Sequence, residues 1–327
     1  MTTTVCVDAM GGDERPEVVL EGIAQALAAD SDLTVLVAGD EDVVVPFCAS
    51  HDRARALVTT EVIGMGEHPT DAVRSKRDSS IVQGCLAVRH GDADGFFSAG
   101  STGAVLTAAT LNVGRLRGIK RPAIAFPFPS LSGRRSIVLD IGANADCRPE
   151  MIVQFAKMGS AYARVIFGTI EPSVALLSNG TEDAKGSETV VSFHEALAES
   201  CPTFVGNCEG CDLLKGDYDV IVCDGFTGNI ALKSLEGTAK FLVTRIKEAA
   251  ASSKRFALGA GLLKPAIKQV ASELSSGGTG GAILLGLKAP VVIGHGATSV
   301  DDVRDATLTT ARFVRDGLVA KIADDVA

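Results

Sequence analysis

The chain of 327 residues has no tryptophan, two tyrosines, and eleven prolines against thirty-five glycines. So little aromatic material argues against an aromatic-cored β-sandwich, and the glycine excess points to a loop-rich α/β protein. Positive charge is also short. Thirty-one basic residues face forty acidic ones, a formal charge of -9, which repels nucleic-acid backbones unless a local patch reverses the field. No apolar run approaches the roughly 20 residues that a bilayer-crossing helix needs. Met1 leads into Val5-Cys6-Val7 without a signal-like segment, so the expectation is a cytoplasmic protein. Eight cysteines scattered along the chain are too sparse for a small disulfide scaffold and read as reduced, mostly buried side chains. What is plentiful is apolar residues, 46%, enough for a substantial core, and the length suggests about two domains.

Strand-like runs that end in glycine and lead into helical spacing recur along the chain. Residues 4–8 end in Ala9-Met10-Gly11-Gly12-Asp13, and Pro16 sits where a helix can begin. Val18, Val19, Ile23, Ala26 and Leu27 follow at helical spacing, then a strand over 33–38 and a Gly39-Asp40 turn. The same reading predicts a strand over 58–63, one helix over 70–90, a strand over 95–99 and a helix from about Ala104. A strand over 134–140 ends in Ile141-Gly142-Ala143-Asn144, and Pro149-Glu150 open a helix that reaches Tyr162. Further strands are expected at 174–177, 203–206, 220–223 and 291–294, with long helices over 227–250 and 304–323. Repeated crossovers favour an α/β fold with a doubly wound, mostly parallel sheet flanked by helices. Residues 1–135 are expected to form an N-terminal α/β subdomain carrying the glycine-rich ligand loops. Residues 136–295 are expected to form a second subdomain that includes a helical tip at 252–276, and 296–327 a C-terminal helix packing back on the first.

The loops carry the chemistry. Asp8 and Asp13 flank Met10-Gly11-Gly12, where glycines expose amide donors to a phosphate-sized anion. A plain β-loop-α turn is the competing reading, and the segment is neither a dinucleotide fingerprint nor a Walker loop. Ser98-Ala99-Gly100-Ser101-Thr102-Gly103-Ala104 offers hydroxyls and amides at a second strand end, with no sequence-supported base to make any hydroxyl a nucleophile. Asp140, Asn144 and Asp146 surround a third loop, and Asp224-Gly225-Phe226-Thr227-Gly228-Asn229 a fourth; each can cap a helix or enter a crevice. Lys185, after Asn179-Gly180-Thr181-Glu182, is either an exposed lysine or a cation placed for an oxyanion. His295-Gly296 follows another strand and can cap or enter the same site. Cys208 and Cys211, with Cys201 and His194, have ligand-like spacing without a second pair, and a metal-free structural reading is favoured over zinc or redox chemistry.

Taken in order, residues 8–13, 98–104, 139–144, 154–162, 206–212 and 223–229 with His295-Gly296 resemble the bacterial acyl-ACP:phosphate acyltransferase family over nearly the whole chain. The resemblance implies transfer of a fatty acyl group from the thioester of acyl carrier protein (ACP) to orthophosphate, giving acyl phosphate for phospholipid synthesis. It implies a phosphotransacetylase/isopropylmalate-dehydrogenase-like fold, no cofactor, no metal, and a cytoplasmic homodimer working beside the membrane and a downstream glycerol-3-phosphate acyltransferase. On that reading phosphate attacks the thioester directly. Asp8, Gly11, Gly12, Asp13, Gly100, Ser101, Thr102, Gly103 and Asn144 would bind phosphate or substrate. Lys185 and Asn229 would polarise the reacting oxygens, Asp224 would organise the pocket, and His295 would be a further candidate. The chain departs from the family's usual asparagine at Ser101, from its usual Asn-Ile-Gly-Glu-Glu at 178–182, and from its valine and arginine at Cys208 and Cys211. Phe256, Leu258, Leu262 and Leu263 form an apolar tip between helical segments, for which dimer packing and membrane contact both remain open. The alternatives to this function are a short-chain acyl-CoA phosphotransferase and a non-catalytic ACP-binding or membrane scaffold.

Overall fold

The structure, a computed structural model, describes residues 2–13, 16–276 and 279–326. In chain order the elements are β1 (Thr3–Asp8), α1 (Glu17–Ala29), β2 (Leu33–Gly39), α2 (Glu41–Ala49), β3 (Ala54–Val58), α3 (Pro69–Ser75), α4 (Ser80–His90), β4 (Gly95–Ser98), α5 (Thr102–Asn112) and β5 (Ala123–Pro129). They continue with β6 (Arg135–Leu139), α6 (Pro149–Phe167), β7 (Val174–Leu177), α7 (Glu188–Ser200), β8 (Phe204–Cys208), β9 (Val220–Val222), α8 (Gly225–Ala251), α9 (Lys254–Ser276), β10 (Ala282–Leu285), β11 (Val291–Ile293), α10 (Val300–Arg315) and α11 (Leu318–Val326).

One sheet runs through the molecule in the order β3-β2-β1-β4-β11-β10-β5-β6-β9-β7-β8. Strand residues alternate between two cores: Val5, Val7, Phe97, Ile137 and Leu139 face one, while Cys6, Phe96, Val138 and Ile221 face the other. Both faces are therefore apolar, as a helix-covered parallel sheet requires. Phe155 and Tyr162 of α6 and Phe313 of α10 belong to the first core, the Tyr162 and Phe313 rings edge-to-face at 5.4 Å.

The sheet reverses direction in its middle. β10 is antiparallel to β11 and to β5, and β5 is antiparallel to β6. β6, β9, β7 and β8 are mutually parallel but run opposite to β1, β2, β3, β4 and β11. The loops after the two strand sets consequently leave from opposite edges of the sheet.

Several local expectations are corrected. The strand expected at 58–63 lies earlier, as β3. Beyond Thr59, Thr60 N–H donates to the Asp78 carboxylate and Asp78 N–H to Glu61, so side chains replace the ladder. The single helix at 70–90 is two, because Ser79 leaves the helix and caps α4 by accepting from Val82 N–H. β5 was not expected because Pro127 and Pro129 read as strand breakers; β10 pairs only with Ala123–Ala125, so the later part of β5 is open on that side and tolerates prolines. α2 was likewise hidden by Pro46 within it. The closing helix is two, parted at Gly317, whose φ of +65° turns the chain. α10 packs on α1 and α11 on α6. Phe256, Leu258, Leu262 and Leu263 lie within the first turns of α9 rather than between helices, and all four are exposed. The sequence Gly277-Gly278-Thr279-Gly280-Gly281 reads as a glycine-rich loop, of which Gly277 and Gly278 fall outside the described residues.

Candidate active site

The loops after β1 and β4 are built against each other. The buried Asp8 carboxylate accepts Met10 N–H at 2.9 Å and the Ser98 hydroxyl at 2.7 Å, and Ser98 Oγ in turn accepts Gly100 N–H at 3.0 Å. A methyl group on Gly11 would lie 2.7 Å from Gly100 N and 2.8 Å from Asp8 Oδ2, so this approach requires glycine. Asp13 N–H reaches the carbonyl of Gly296 at 2.8 Å, which brings the His295 loop to the same edge. His295 itself is exposed, with Nδ1 accepting Ala297 N–H. α5 starts here, and Ser101 at its N-cap makes no side-chain capping bond, which leaves the first-turn amides of Thr102 and Gly103 uncapped. A cavity of about 240 Å³ opens between the two loops, lined by Gly11, Gly12 and Asp13, by Gly64, by Ser80 at the start of α4 and by Gly100, the residue before the α5 N-cap. Asp8, Gly11, Gly12, Asp13, Gly100, Ser101, Thr102, Gly103 and His295 thus share one place. Asp8 acts on backbone and hydroxyl donors.

The second cluster is centred on Asp140, fully buried at the end of β6. Its Oδ1 accepts the N–H groups of Ile124, Gly142 and Ala143, and its Oδ2 accepts Asn144 N at 2.7 Å and Asn144 Nδ2 at 2.8 Å. Burial pushes this carboxyl up, and the bonds from Ala143 N–H, the Asn144 side chain, Ile124 N–H and Gly142 N–H oppose that shift. Gly225 N–H donates to the Asn144 carbonyl at 2.7 Å, and Asn229 Nδ2 to the Ile141 carbonyl at 3.2 Å, so the third and fourth loops meet as expected. Asp224 is the N-cap of α8, accepting Thr227 N–H at 2.8 Å and the Thr227 hydroxyl at 2.9 Å. That α8 is capped by an acid while α5 is uncapped distinguishes the two clusters: only α5 presents open amides to an anion. β7 lies beside β9, so the half-exposed Lys185 projects from the same edge as Asp140 and Asp224. Its nearest acid is Glu182, at 3.9 Å.

The expectation that all these loops meet in one crevice is corrected. β4 and β6 are separated by β11, β10 and β5, four strand spacings or roughly 19 Å, and their C-terminal ends point to opposite edges. Within one chain, Gly11 and Ser101 do not meet Lys185 and Asn229. The sequence contains no periodic signal for the reversal, because an antiparallel strand such as β10 reads like a parallel one.

The cysteine cluster also resolves. Cys208 is buried, with burial pushing its thiol up to about 12, and Cys211 lies beside the Asp212 carboxylate. Cys147, near Asp140 and Asp224, is raised to about 12, first by burial and then by Asp140. Neither thiol is prepared as a nucleophile. Among the described residues no three of His, Cys, Asp and Glu stand together as a metal-ligating set.

Sequence reasoning missed the wall formed by 62–65 and Ser80. Glu67 holds it, accepting Gly64 N–H at 2.5 Å and pairing with Lys76 at 2.7 Å, while Lys76 also donates to the Val62 carbonyl. The available signal was the Gly64-Met65-Gly66 turn.

Residues 3–321 match the family described as "Fatty acid synthesis protein". The chain belongs to this family. It is 43% identical over 322 residues to the phosphate acyltransferase of Bacillus pumilus (strain SAFR-032), covering 98% of this chain and 97% of that protein. It is 42% identical to the phosphate acyltransferase of Lacticaseibacillus casei (strain BL23), covering 98% and 94%. Among solved structures, a phosphotransacetylase from Streptococcus pyogenes superposes with a TM-score of 0.61 at 18% identity, covering 96% of this chain and 94% of that one. A branched-chain phosphotransacylase from Enterococcus faecalis V583 gives 0.61 at 14%, covering 95% and 99%. These likenesses establish the phosphotransacetylase type of doubly wound α/β fold for this family member.

Proposed function

We propose that the protein is a phosphate acyltransferase that moves a long-chain fatty acyl group from acyl-ACP to orthophosphate, for phospholipid synthesis. The observation that carries the reading is the extended identity to phosphate acyltransferases, over 98% of the chain, joined to an uncapped α5 that follows directly on Gly100 in the wall of a glycine-rich cavity. Phosphate sits at the amides of Gly100, Ser101, Thr102 and Gly103, with Gly11 and Gly12 closing the other side. One phosphate oxygen attacks the thioester carbonyl carbon, whose oxygen becomes negative and is met by the Lys185 ammonium and the Asn229 amide. The carbon–sulfur bond then breaks, the electron pair leaves with sulfur as the ACP thiolate, and acyl phosphate remains. No covalent enzyme intermediate and no cofactor are needed, because the nucleophile arrives charged.

Since the two clusters occupy opposite sheet edges, we infer a homodimer in which Lys185, Asn229 and Asn144 of one copy face the phosphate loop of the other. Support comes from Phe226 and Ile230, large apolar side chains exposed on the first turns of α8 beside Asn229. Farther along, Phe256, Leu258, Leu262 and Leu263 present an apolar surface flanked by Arg255 and Lys264, suited to peripheral contact with an anionic membrane. No helix of the described residues is long and apolar enough to cross one.

The deciding assay mixes purified protein with long-chain acyl-ACP and labelled phosphate. Labelled acyl phosphate and free ACP should appear in equal amounts. Turnover with acyl-CoA and none with acyl-ACP would replace the carrier assignment, and folded protein that yields neither product would overturn the enzyme reading.

A further inference from the structure

Behind the exposed loop that carries Lys185 lies a buried polar pair unused by the chemistry above. Asn207, on β8, donates from Nδ2 to the Glu182 carbonyl at 2.9 Å. Lys185 N–H donates to that same carbonyl, also at 2.9 Å. The Glu182 oxygen is therefore a joint with the Lys185 backbone on one side and the Asn207 amide on the other. With Nδ2 committed to a carbonyl, Oδ1 of Asn207 faces away from the loop, and Nδ1 of His194 on α7 meets it at 2.9 Å. An amide oxygen only accepts, so His194 Nδ1 carries the proton. The other ring nitrogen, Nε2, lies 3.5 Å from Asp183 Oδ1, on the residue next to Glu182. Phe204 of β8 packs edge-on against the imidazole, 5.0 Å between centroids, and both His194 and Asn207 are buried.

The loop is tied on its far side too. Ser178 Oγ donates to the Lys185 carbonyl at 3.1 Å, and a methyl group on Gly180 would lie 2.7 Å from Lys185 Cγ. Lys185 thus has both its amide and its carbonyl fixed, although its side chain is half-exposed. Of the two bonds that fix the Lys185 backbone, the one at the Glu182 carbonyl is backed by a side chain outside the loop, Asn207. Removing the His194 donor leaves Asn207 Oδ1 buried and unpaired, and the amide then gains by rotating to find another donor, which withdraws Nδ2 from Glu182.

We propose that His194 is a positioning residue for Lys185, acting through Asn207 and the Glu182 carbonyl. The proposal rests on Lys185 acting in the acyl transfer described above. Both ring nitrogens of His194 face partners, Asn207 on one side and Asp183 on the other.

The test compares His194→Leu, which keeps bulk and removes the donor, with His194→Gln, which keeps a side-chain N–H of similar reach. Three quantities are measured on each: the melting temperature, peptide-level hydrogen exchange over 178–187, and kcat and KM for phosphate and acyl-ACP. In the leucine variant, exchange should rise in 178–187 and kcat should fall by roughly tenfold or more with KM changing less, as expected when a polarising group is misplaced. Glutamine should recover most of both losses. Should the leucine variant not fold, Asn207→Ala breaks the same link from its other end and gives the same readings. Unchanged exchange over 178–187 overturns the positioning role whatever Lys185 does. Faster exchange spread evenly over α7 and the sheet, with glutamine no better than leucine, also overturns it and leaves His194 a core residue. Faster local exchange with kcat unchanged, in a protein whose Lys185→Met variant is fully active, overturns the Lys185 reading instead and leaves the loop-anchoring link standing.

Discussion

Asp140 and Asp8 are buried acids at equivalent strand ends, and they do the same work: each collects donors from the turn that follows. Asp140 takes five N–H groups, three on one oxygen and two on the other. An asparagine there must turn its NH₂ toward one of these groups of donors, so at least two lose their acceptor. Asp140→Asn should cost on the order of 3 kcal/mol, read as a lowered urea midpoint with an unchanged slope. A midpoint within experimental error of the natural protein would mean that the turn rearranges freely. Lys185 and Asn229 differ from these acids in being exposed to solvent, although Asn229 keeps one amide hydrogen on the Ile141 carbonyl. His194 and Asn207 belong with the acids, as groups whose bonds are spent on backbone shape.

Among the described residues, α8 buries only Gly225 and Gly228, and Phe241, Leu242, Ile246, Phe256, Leu258, Leu262 and Leu263 stay exposed along α8 and α9. Side chains of this size left open along two paired helices call for a further surface. The stem and the tip can be separated by substitution. Changing Leu258 and Leu262 to serine should weaken binding to anionic vesicles several-fold, with dimer size unchanged by light scattering. Loss of the dimer with unaltered vesicle binding would transfer these residues from the membrane to the subunit interface. α5 and α8 illustrate the opposite use of a helix start: the one left uncapped follows Gly100 in a cavity wall, and the one capped by Asp224 is fastened to its neighbour.

For the whole molecule, the direction reversal at β10 is the decisive feature, since it divides the candidate residues between two edges. A dimer that joins opposite edges makes a specific prediction about mixtures. Gly11→Val and Lys185→Ala should each be inactive alone. Co-refolded, they should regain about one quarter of natural activity, because half the dimers are mixed and each mixed dimer holds one intact site of two. No recovery from demonstrably mixed dimers would mean that the site is made within one chain. Acid sensitivity is a second molecular property, because Arg315 of α10 ties the end of the chain to its start, bonding Asp30 at 2.6 Å and the Thr3 hydroxyl at 3.0 Å. Burial works against the Asp30 charge, but the bonds from Arg315 and Asp32 N–H hold its carboxyl below the usual range. The stabilisation is complete above the unfolded value of about 3.9 and is lost as pH falls through the folded value. Asp30→Asn should therefore be about 1 kcal/mol less stable at pH 6, with the gap closing as pH falls below the usual carboxylate range; a gap independent of pH would assign the effect to packing alone.

The α/β class, the glycine turns after β1, β4 and β6, and the pairing of the 140s loop with residues 224–229 were legible in the chain because each rests on local chemistry. Glycine is needed where backbones approach, acids cap helix starts, and apolar residues alternate on strands covered from both sides. The family membership was equally legible, since ordered motifs survive as strings of residues. What the chain could not reveal is strand direction: β10 and β5 have the same apolar character whichever way they run, and prolines disguised β5 altogether. Direction is set by which strands find each other across the sheet, a non-local matter of hydrogen-bond pairing and loop closure. Folding alone therefore decided that Gly11 and Lys185 lie apart, and that His194 joins Asn207 and the Lys185 loop instead of the cysteines near it in sequence.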